Sequence, residues 1–261
     1  MSRDQKQPFA KRSLGQNFLV DDSYIRKIVA AAELQPDETV IEIGPGRGAI
    51  TEGLVDSGAR VIAVELDRRL APELAQWFAE RPNFTVIEAD ATEVDFADIL
   101  AGGKAKLVAN LPYYISTAIL QHLAAQREGF VSLVLMFQKE VVERIAARPG
   151  DSERGFLTVL TEAAFRVETL FDVPPKAFRP VPKVTSTVVR LTPKPRLVDD
   201  EKMFRRLVST AFLQKRKTIL NNLKAFSPEA AQRIERSGID PRRRAESLTM
   251  EEWLELFRAF E

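Results

Sequence analysis

Cysteine is absent from this chain and histidine occurs once, as His122. Without cysteine there can be no disulfide, no thiolate metal site and no cysteine nucleophile, and one histidine cannot serve a site that needs two. No metal site is therefore expected. His122 falls in Ser116 to Ala125, which reads as a helix, and is taken as a structural residue. Long apolar runs are missing too. None reaches the roughly 18 residues of a membrane span, and the opening MSRDQKQPFAKRS has no apolar core of a secretory leader. A cytoplasmic protein without a membrane partner is expected.

Charge is plentiful and unevenly placed. The 38 Lys+Arg and 37 Asp+Glu leave a net charge of +1. From Lys176 to the end, 19 basic residues face 11 acidic ones, whereas the rest of the chain holds 19 against 26. An acidic body joined to a basic tail suits a small cationic ligand in one part and a polyanion such as nucleic acid against the other; solvated basic helices are the alternative. The first sixteen residues carry Arg3, Lys6, Lys11 and Arg12 without apolar periodicity. They read as a basic mobile arm, 1–16, that can touch phosphates.

After LGQNF, a helix capped by Asp21, Asp22 or Ser23 is predicted from the spacing of Ile25, Ile28, Val29 and Ala32. From Thr39 onward strand, turn and helix alternate: TVIEI, RVIAVEL, FTVIEAD, KLVAN and VSLVLMF are five β-rich runs separated by helical segments. This pattern predicts an α/β fold with a parallel sheet covered on both faces and ligands at the carboxyl ends of its strands. Gly44 to Gly48, Glu65, Asp90 and Asn110 then fall along one edge.

Gly44, Gly46 and Ala49 match the dinucleotide fingerprint, and Glu65 follows at the distance of a ribose-binding carboxylate. Two features oppose a pyrophosphate: Glu42 precedes the turn with the wrong charge, and Pro45 lacks an amide donor. A cofactor with a positive reacting end, such as S-adenosylmethionine, suits both. Glu65 would take its ribose hydroxyls and Asp90 its adenine amine, while Gly44 and Gly46 let backbone approach its amino-acid portion.

Asn110-Leu111-Pro112-Tyr113 follows the strand read at Lys106 to Ala109. Proline steers Leu111 away from helix, freeing its carbonyl to point outward. With the Asn110 side-chain oxygen, that carbonyl can grip both hydrogens of an amine on a flat base, aiming the nitrogen lone pair at an electrophile. Tyr113 can stack on the base. A plain strand-to-helix turn with an Asn cap and a core Tyr is the alternative reading of these four residues.

LGQNFLVD, IEIGPGRGAIT, VIAVELD, EADAT, NLPYYIST and FQKEVVERI, in this order, resemble the ribosomal RNA adenine dimethyltransferase family, and within it the small-subunit branch of bacteria. The resemblance spans essentially the whole chain. It implies a class I S-adenosylmethionine-dependent methyltransferase domain, Rossmann-like, followed by a small helical domain. It also implies that Asn17, Leu19, Gly44, Glu65, Asp90 and Asn110 bind the cofactor, that Asn110 to Tyr113 form the catalytic motif, and that the partner is the small ribosomal subunit and its RNA. Two adjacent adenosines near the 3′ end, each dimethylated, are the implied targets. Arg47 and Tyr114 stand at positions that vary in the family. Rival readings are the macrolide-resistance branch acting on large-subunit RNA, a nicotinamide oxidoreductase, which lacks a placed proton donor here, and a non-catalytic ribosome assembly factor.

VPPKAFRPVPKVTSTVVRL is similar to the family's segment beside the active site. Phe178, among prolines between strands read at Ala164 to Asp172 and Val184 to Leu191, is expected to stack on an extruded adenine opposite Tyr113; a core phenylalanine is the alternative. Lys176, Arg179 and Lys183 suit phosphates of the same strand. Beyond a linker near Lys194 to Asp200, three helices are predicted, the first running from Glu201 to Leu223. Phe204, Leu207, Phe212, Ile219, Leu223, Trp253, Leu256 and Phe257 are their expected core. Lys215, Arg216 and Lys217, with Arg242, Arg243 and Arg244, form two basic clusters read as RNA-facing, a solvated face being the alternative. QKRKTILNNL resembles the small-subunit branch. The expected division is 17–195 for the methyltransferase domain and 199–261 for the helical one, in a monomer.

Overall fold

The computed structural model describes residues 17–261, so the basic arm read over 1–16 lies outside the described residues. The chain forms two compact units, one reaching Lys139 and taking in Glu168–Thr192, the other made of Glu140–Val167 and Pro193–Glu261.

The first unit begins with β1 (Phe18–Leu19) and α1 (Asp22–Ala31), whose N-cap is Asp21, accepting the Ser23 N–H at 2.9 Å. Alternation then follows as the apolar runs predict: β2 (Thr39–Ile43), α2 (Ala49–Asp56), β3 (Arg60–Glu65), α3 (Leu70–Trp77), β4 (Phe84–Glu88), α4 (Phe96–Leu100), β5 (Ala105–Asn110), α5 (Ser116–Ala125) and β6 (Phe130–Gln138). These five strands pair in parallel in the order β4-β3-β2-β5-β6. Central strands of such a sheet are covered on both faces; accordingly Val40 to Ile43 and Val61 to Glu65 are all buried. After α6 (Lys139–Ile145) and α7 (Phe156–Ala164) the sheet gains β7 (Phe165–Val173) at its edge and β9 (Ser186–Pro193), which runs antiparallel to β6. Between them β8 (Phe178–Arg179) pairs antiparallel with β1.

Helices α1 and α2 approach closely because Gly53 has no side chain. A Cβ there would lie 2.7 Å from Val29 Cγ2. Alanine normally helps a helix by about 0.5–1 kcal/mol relative to glycine, but forcing a stiff β-branched neighbour aside costs about 1–3 kcal/mol. Gly53→Ala is therefore expected to lower stability in urea denaturation, and Val29→Ala in the same chain to remove part of the loss.

The second unit contains α8 (Glu201–Ala211), α9 (Ile219–Leu223), α10 (Ala230–Arg236) and α11 (Met250–Phe260). Phe204, Leu207, Ile219, Leu223, Trp253, Leu256 and Phe257 form its core with Phe212 packed against it, as expected. Phe204 meets Phe257 edge to face at 5.6 Å. Two expectations are corrected. The single helix read from Glu201 to Leu223 is broken: buried Asn222 donates to the carbonyls of Ala211 at 2.7 Å and Gln214 at 3.2 Å, and Thr218 caps the new start at α9. The boundaries 17–195 and 199–261 also fail, because Val159 of α7 lies in the helical core with Phe156, Leu160 and Ala163 packed against it. Among the described residues no helix is long and apolar enough to cross a membrane.

Candidate active site

Strand register builds the site. Ile43 pairs with Val64 on one side and Ala109 on the other. The next residue of each strand, Gly44, Glu65 and Asn110, thus stands at one level on the carboxyl edge. From β2 the chain runs outward through β3 and β4 and then crosses back to β5 on the other side of β2, and a crevice opens at that switch. Asn17, Leu19, Gly44, Gly46, Glu65, Asn110, Leu111, Pro112 and Tyr113 all line this cavity. Asp90 lines an adjoining one with Leu66, Ala91 and Tyr114; Gly44, Glu65 and Pro112 belong to both.

Gly46 adopts φ +58°, and a Cβ there would lie 3.0 Å from Phe18 Cε1, so the turn needs glycine. Its glycine amides are spent internally: Gly44 N–H donates to Val64 O at 2.9 Å, Gly46 N–H to Glu65 Oε2 at 3.0 Å and Gly48 N–H to Pro45 O at 2.9 Å. With Pro45 carrying no N–H, this turn is not a phosphate cradle.

Glu42 does not oppose a phosphate by its charge, contrary to the expectation above. Glu42 is 2 % exposed, and burial, opposed by the Thr51 hydroxyl donating at 2.6 Å and helped by the neighbouring Glu65, pushes its carboxyl up from 4.5 to about 8. Burial therefore favours its protonated form at neutral pH. The folded state then holds this proton more tightly than the unfolded one, so stability falls by up to several kcal/mol as pH rises from about 4.5 to about 8, then levels off. Glu42→Gln is expected to flatten that slope in denaturation curves taken across the window.

Glu65, 5 % exposed, accepts the Gly46 N–H on Oε2 and the Asp67 N–H on Oε1, at 2.8 Å. Burial raises its pKa against these donors. The carboxylate is thereby fixed in place, with lone pairs left for a ligand hydroxyl on each oxygen. Asp90 Oδ1 accepts the Thr92 N–H at 2.8 Å and its hydroxyl at 2.7 Å, which sets the carboxyl on the cavity wall. Asn110 Nδ2 donates to Asn17 O at 3.4 Å, turning its amide oxygen the other way. Half-buried Tyr113 holds its hydroxyl 2.8 Å from Ser186 Oγ, and burial raises its pKa, keeping the phenol neutral.

Phe178 is corrected to a core residue. It is 1 % exposed, packs with Val173, Ala177 and Val188, and pairs with Leu19 across β1 and β8. The prolines hold the loop, yet this short pairing turns the ring inward. The exposed ring beside the site belongs to Tyr114, 58 % exposed. His122 is structural as read, its Nε2 lying 2.7 Å from Val94 O. Sequence reasoning missed Phe18 and Arg47 as lining residues, although their neighbours were named, and Ser186, which only the pairing of β9 with β6 brings to the site.

Among the basic residues, Lys176, Arg179 and Lys183 are exposed, with Arg179 donating to Lys176 O at 3.1 Å. Lys215, Arg216 and Lys217 are exposed in the break after α8, where Lys215 also meets Ser152 O. Arg242 pairs with Asp240 at 3.1 Å and Arg244 approaches Glu246 at 3.9 Å. Arg243 is corrected to a structural role. Half-buried, it donates to Glu252 at 2.9 Å and Ser247 O at 2.7 Å, pinning the start of α11.

One cavity thus sets an amide-proline-aromatic turn, Asn110 to Tyr113, beside the carboxyl group of Glu65, which two backbone N–H groups fix. Comparison with known proteins gives the family. The family profile described as ribosomal RNA adenine dimethylase matches residues 9–261. A Geobacter metallireducens protein named ribosomal RNA small subunit methyltransferase A is 43 % identical, the match covering 96 % of this chain and 95 % of that protein. The crystal structure of a dimethyladenosine transferase from Plasmodium falciparum superposes with TM-score 0.79 at 28 % identity, covering 92 % of this chain and 95 % of that one. That of the 23S rRNA methyltransferase ErmE does so with TM-score 0.69 at 29 % identity, covering 93 % and 99 %. By the turn, the sheet and the length of the match, this chain belongs to the ribosomal RNA adenine dimethylase family.

Proposed function

We propose that the chain transfers methyl groups from S-adenosylmethionine to the exocyclic amine of adenine in small-subunit ribosomal RNA, two to each of two adjacent adenosines near the 3′ end. The observation that carries this reading is that Glu65 and the Asn110 to Tyr113 turn line one cavity. The residues suit the cofactor: fixed acceptors at Glu65 and Asp90 for a ribose and an adenine amine, and a turn whose glycine amides are already used and cannot favour phosphates. Asn17, Leu19, Gly44, Gly46 and Asn110 complete its walls. When bound, it would supply a methyl group on a positively charged sulfur.

The chain's own part is to hold and aim. Asn110 Oδ1 and the Leu111 carbonyl accept the two hydrogens of the amine, which leaves its lone pair pointing at the methyl carbon. Tyr113 stacks on the base and acts as no base itself, being a neutral phenol tied to Ser186. Each of Tyr113→Phe and Ser186→Ala removes that tie. In single-turnover assays each is expected to slow transfer a few-fold, and the double variant no more than the slower single one.

Lys176, Arg179, Lys183, Lys215, Arg216, Lys217, Arg242 and Arg244 are the proposed RNA contacts; Arg243 is left out for its role at α11. Small-subunit RNA is preferred over large because of the name and 43 % identity of the Geobacter relative, and because the dimethyladenosine transferase is the better superposition. The test is the distribution of label from S-[methyl-³H]adenosylmethionine among undermethylated small subunits, large subunits and protein-free RNA. Label confined to small-subunit adenine supports the proposal. Label on large-subunit RNA moves the chain to the resistance branch, and binding without label leaves an assembly factor.

A further inference from the structure

Asn110, Gln138 and Ser186 stand at one edge of the sheet, on the adjacent strands β5, β6 and β9. Asn110 pairs with Met136, and Gln138, two residues further on, pairs with Ser186. Paired residues share a face of a sheet, as do residues two apart on one strand. The three side chains therefore leave the same face. Further down that face Val108, Met136 and Val188 pack with Leu19 in one core. Ser186 Oγ lies 2.8 Å from the Tyr113 hydroxyl, so this is the face that carries the Asn110 to Tyr113 turn.

β6 is apolar and buried from Leu133 to Phe137 and turns polar at the half-buried Gln138. The polar groups on either side are engaged: Asn110 Nδ2 donates to Asn17 O, and the Tyr113 and Ser186 hydroxyls meet each other. The Gln138 side-chain amide has no hydrogen-bond partner among the described residues.

We infer that Gln138 reads the target base, its side-chain NH2 donating to one of the two ring nitrogens of adenine that flank the amine, N1 or N7. This rests on the adenine reading proposed above. The Asn110 oxygen and the Leu111 carbonyl hold an amine, and Tyr113 sets the plane of the ring. None of these supplies a donor to the ring nitrogens, which are acceptors and cost free energy when taken out of water unpaired. A neutral NH2 meets that need without placing a second positive charge near the sulfur of the cofactor.

The experiment is single-turnover methyl transfer to undermethylated small subunits carrying adenosine, 1-deazaadenosine or 7-deazaadenosine at the target positions, introduced through a ligated 3′ segment of the RNA. Wild type, Gln138→Ala and Gln138→Glu are compared, with cofactor affinity and thermal unfolding measured on each. Each analogue replaces one ring nitrogen by C–H, and its effect on the amine itself is common to all three proteins. On adenosine both variants should transfer about five- to tenfold more slowly than wild type, the loss of one hydrogen bond, with cofactor affinity unchanged. One analogue should slow the wild type by a similar factor beyond its effect on the variants, which have already lost that bond. Equal slowing of wild type and variants by each analogue, or transfer to adenosine by Gln138→Ala within twofold of wild type, overturns the inference. Should Gln138→Ala fail to fold, Gln138→Glu, which keeps the shape and loses the donor, decides by the same comparison. Failure of the wild type to methylate subunits carrying adenosine overturns the adenine reading itself, and this inference with it.

Discussion

Asn110→Ala is expected to lower the rate of methyl transfer by about a hundred- to a thousandfold, the usual loss when a placed polar group at a reacting centre is removed. Asn110 follows the buried Ala109 of a central strand, and its amide is oriented by Asn17, so the oxygen is held before the base arrives. Alanine deletes that acceptor and leaves the Leu111 carbonyl as the only grip on the amine. Stability should change by no more than about 1 kcal/mol, because Asn110 is half-buried and its bond to Asn17 O is a long one, at 3.4 Å. Single-turnover rates beside urea denaturation separate these effects. A rate within tenfold of wild type would remove Asn110 from the mechanism.

The second large effect belongs to Glu65→Gln. Each carboxylate oxygen accepts a backbone N–H, from Gly46 and from Asp67. An amide of the same shape must turn its NH2 toward one of those donors, so one bond is lost and the glycine turn shifts. The variant also loses an acceptor for a ribose hydroxyl. Cofactor affinity is expected to fall on the order of a hundredfold, with the rate at saturating cofactor much less affected. Global stability should fall far less, because burial already disfavours the charge that the substitution removes. Equilibrium dialysis and thermal unfolding check both parts. Unchanged affinity would mean that Glu65 serves the turn and no ligand.

The ligand edge is legible in the sequence because the sheet repeats a simple physical rule. Strands buried on both faces read as apolar runs, and the ligand edge follows from where those runs end, which places Gly44, Glu65, Asp90 and Asn110. The misreadings have local causes. Phe212 and Ile219 are seven residues apart, two helical turns, so periodicity passes through the break that Asn222 makes. α7 carries an apolar face that fits a sheet or a helical core equally well, and only packing assigns it. Phe178 sits among prolines that mark a loop, but two residues of pairing with β1 bury it. Ser186 carries no signal of its own; it reaches Tyr113 because β9 joins β6 with Ser186 opposite Gln138. The proton on Glu42 depends on burial among neighbours, which residue type alone does not reveal.

Nucleoside analysis of small-subunit RNA after reaction with S-adenosylmethionine, for the wild type and for Asn110→Ala, tests whether the Asn110 to Tyr113 turn directs methyl groups to adenine. The expected product is N6,N6-dimethyladenosine, two per subunit, nearly absent from the variant. Methylation of another base or of the ribose, or undiminished dimethyladenosine with Asn110→Ala, would contradict it.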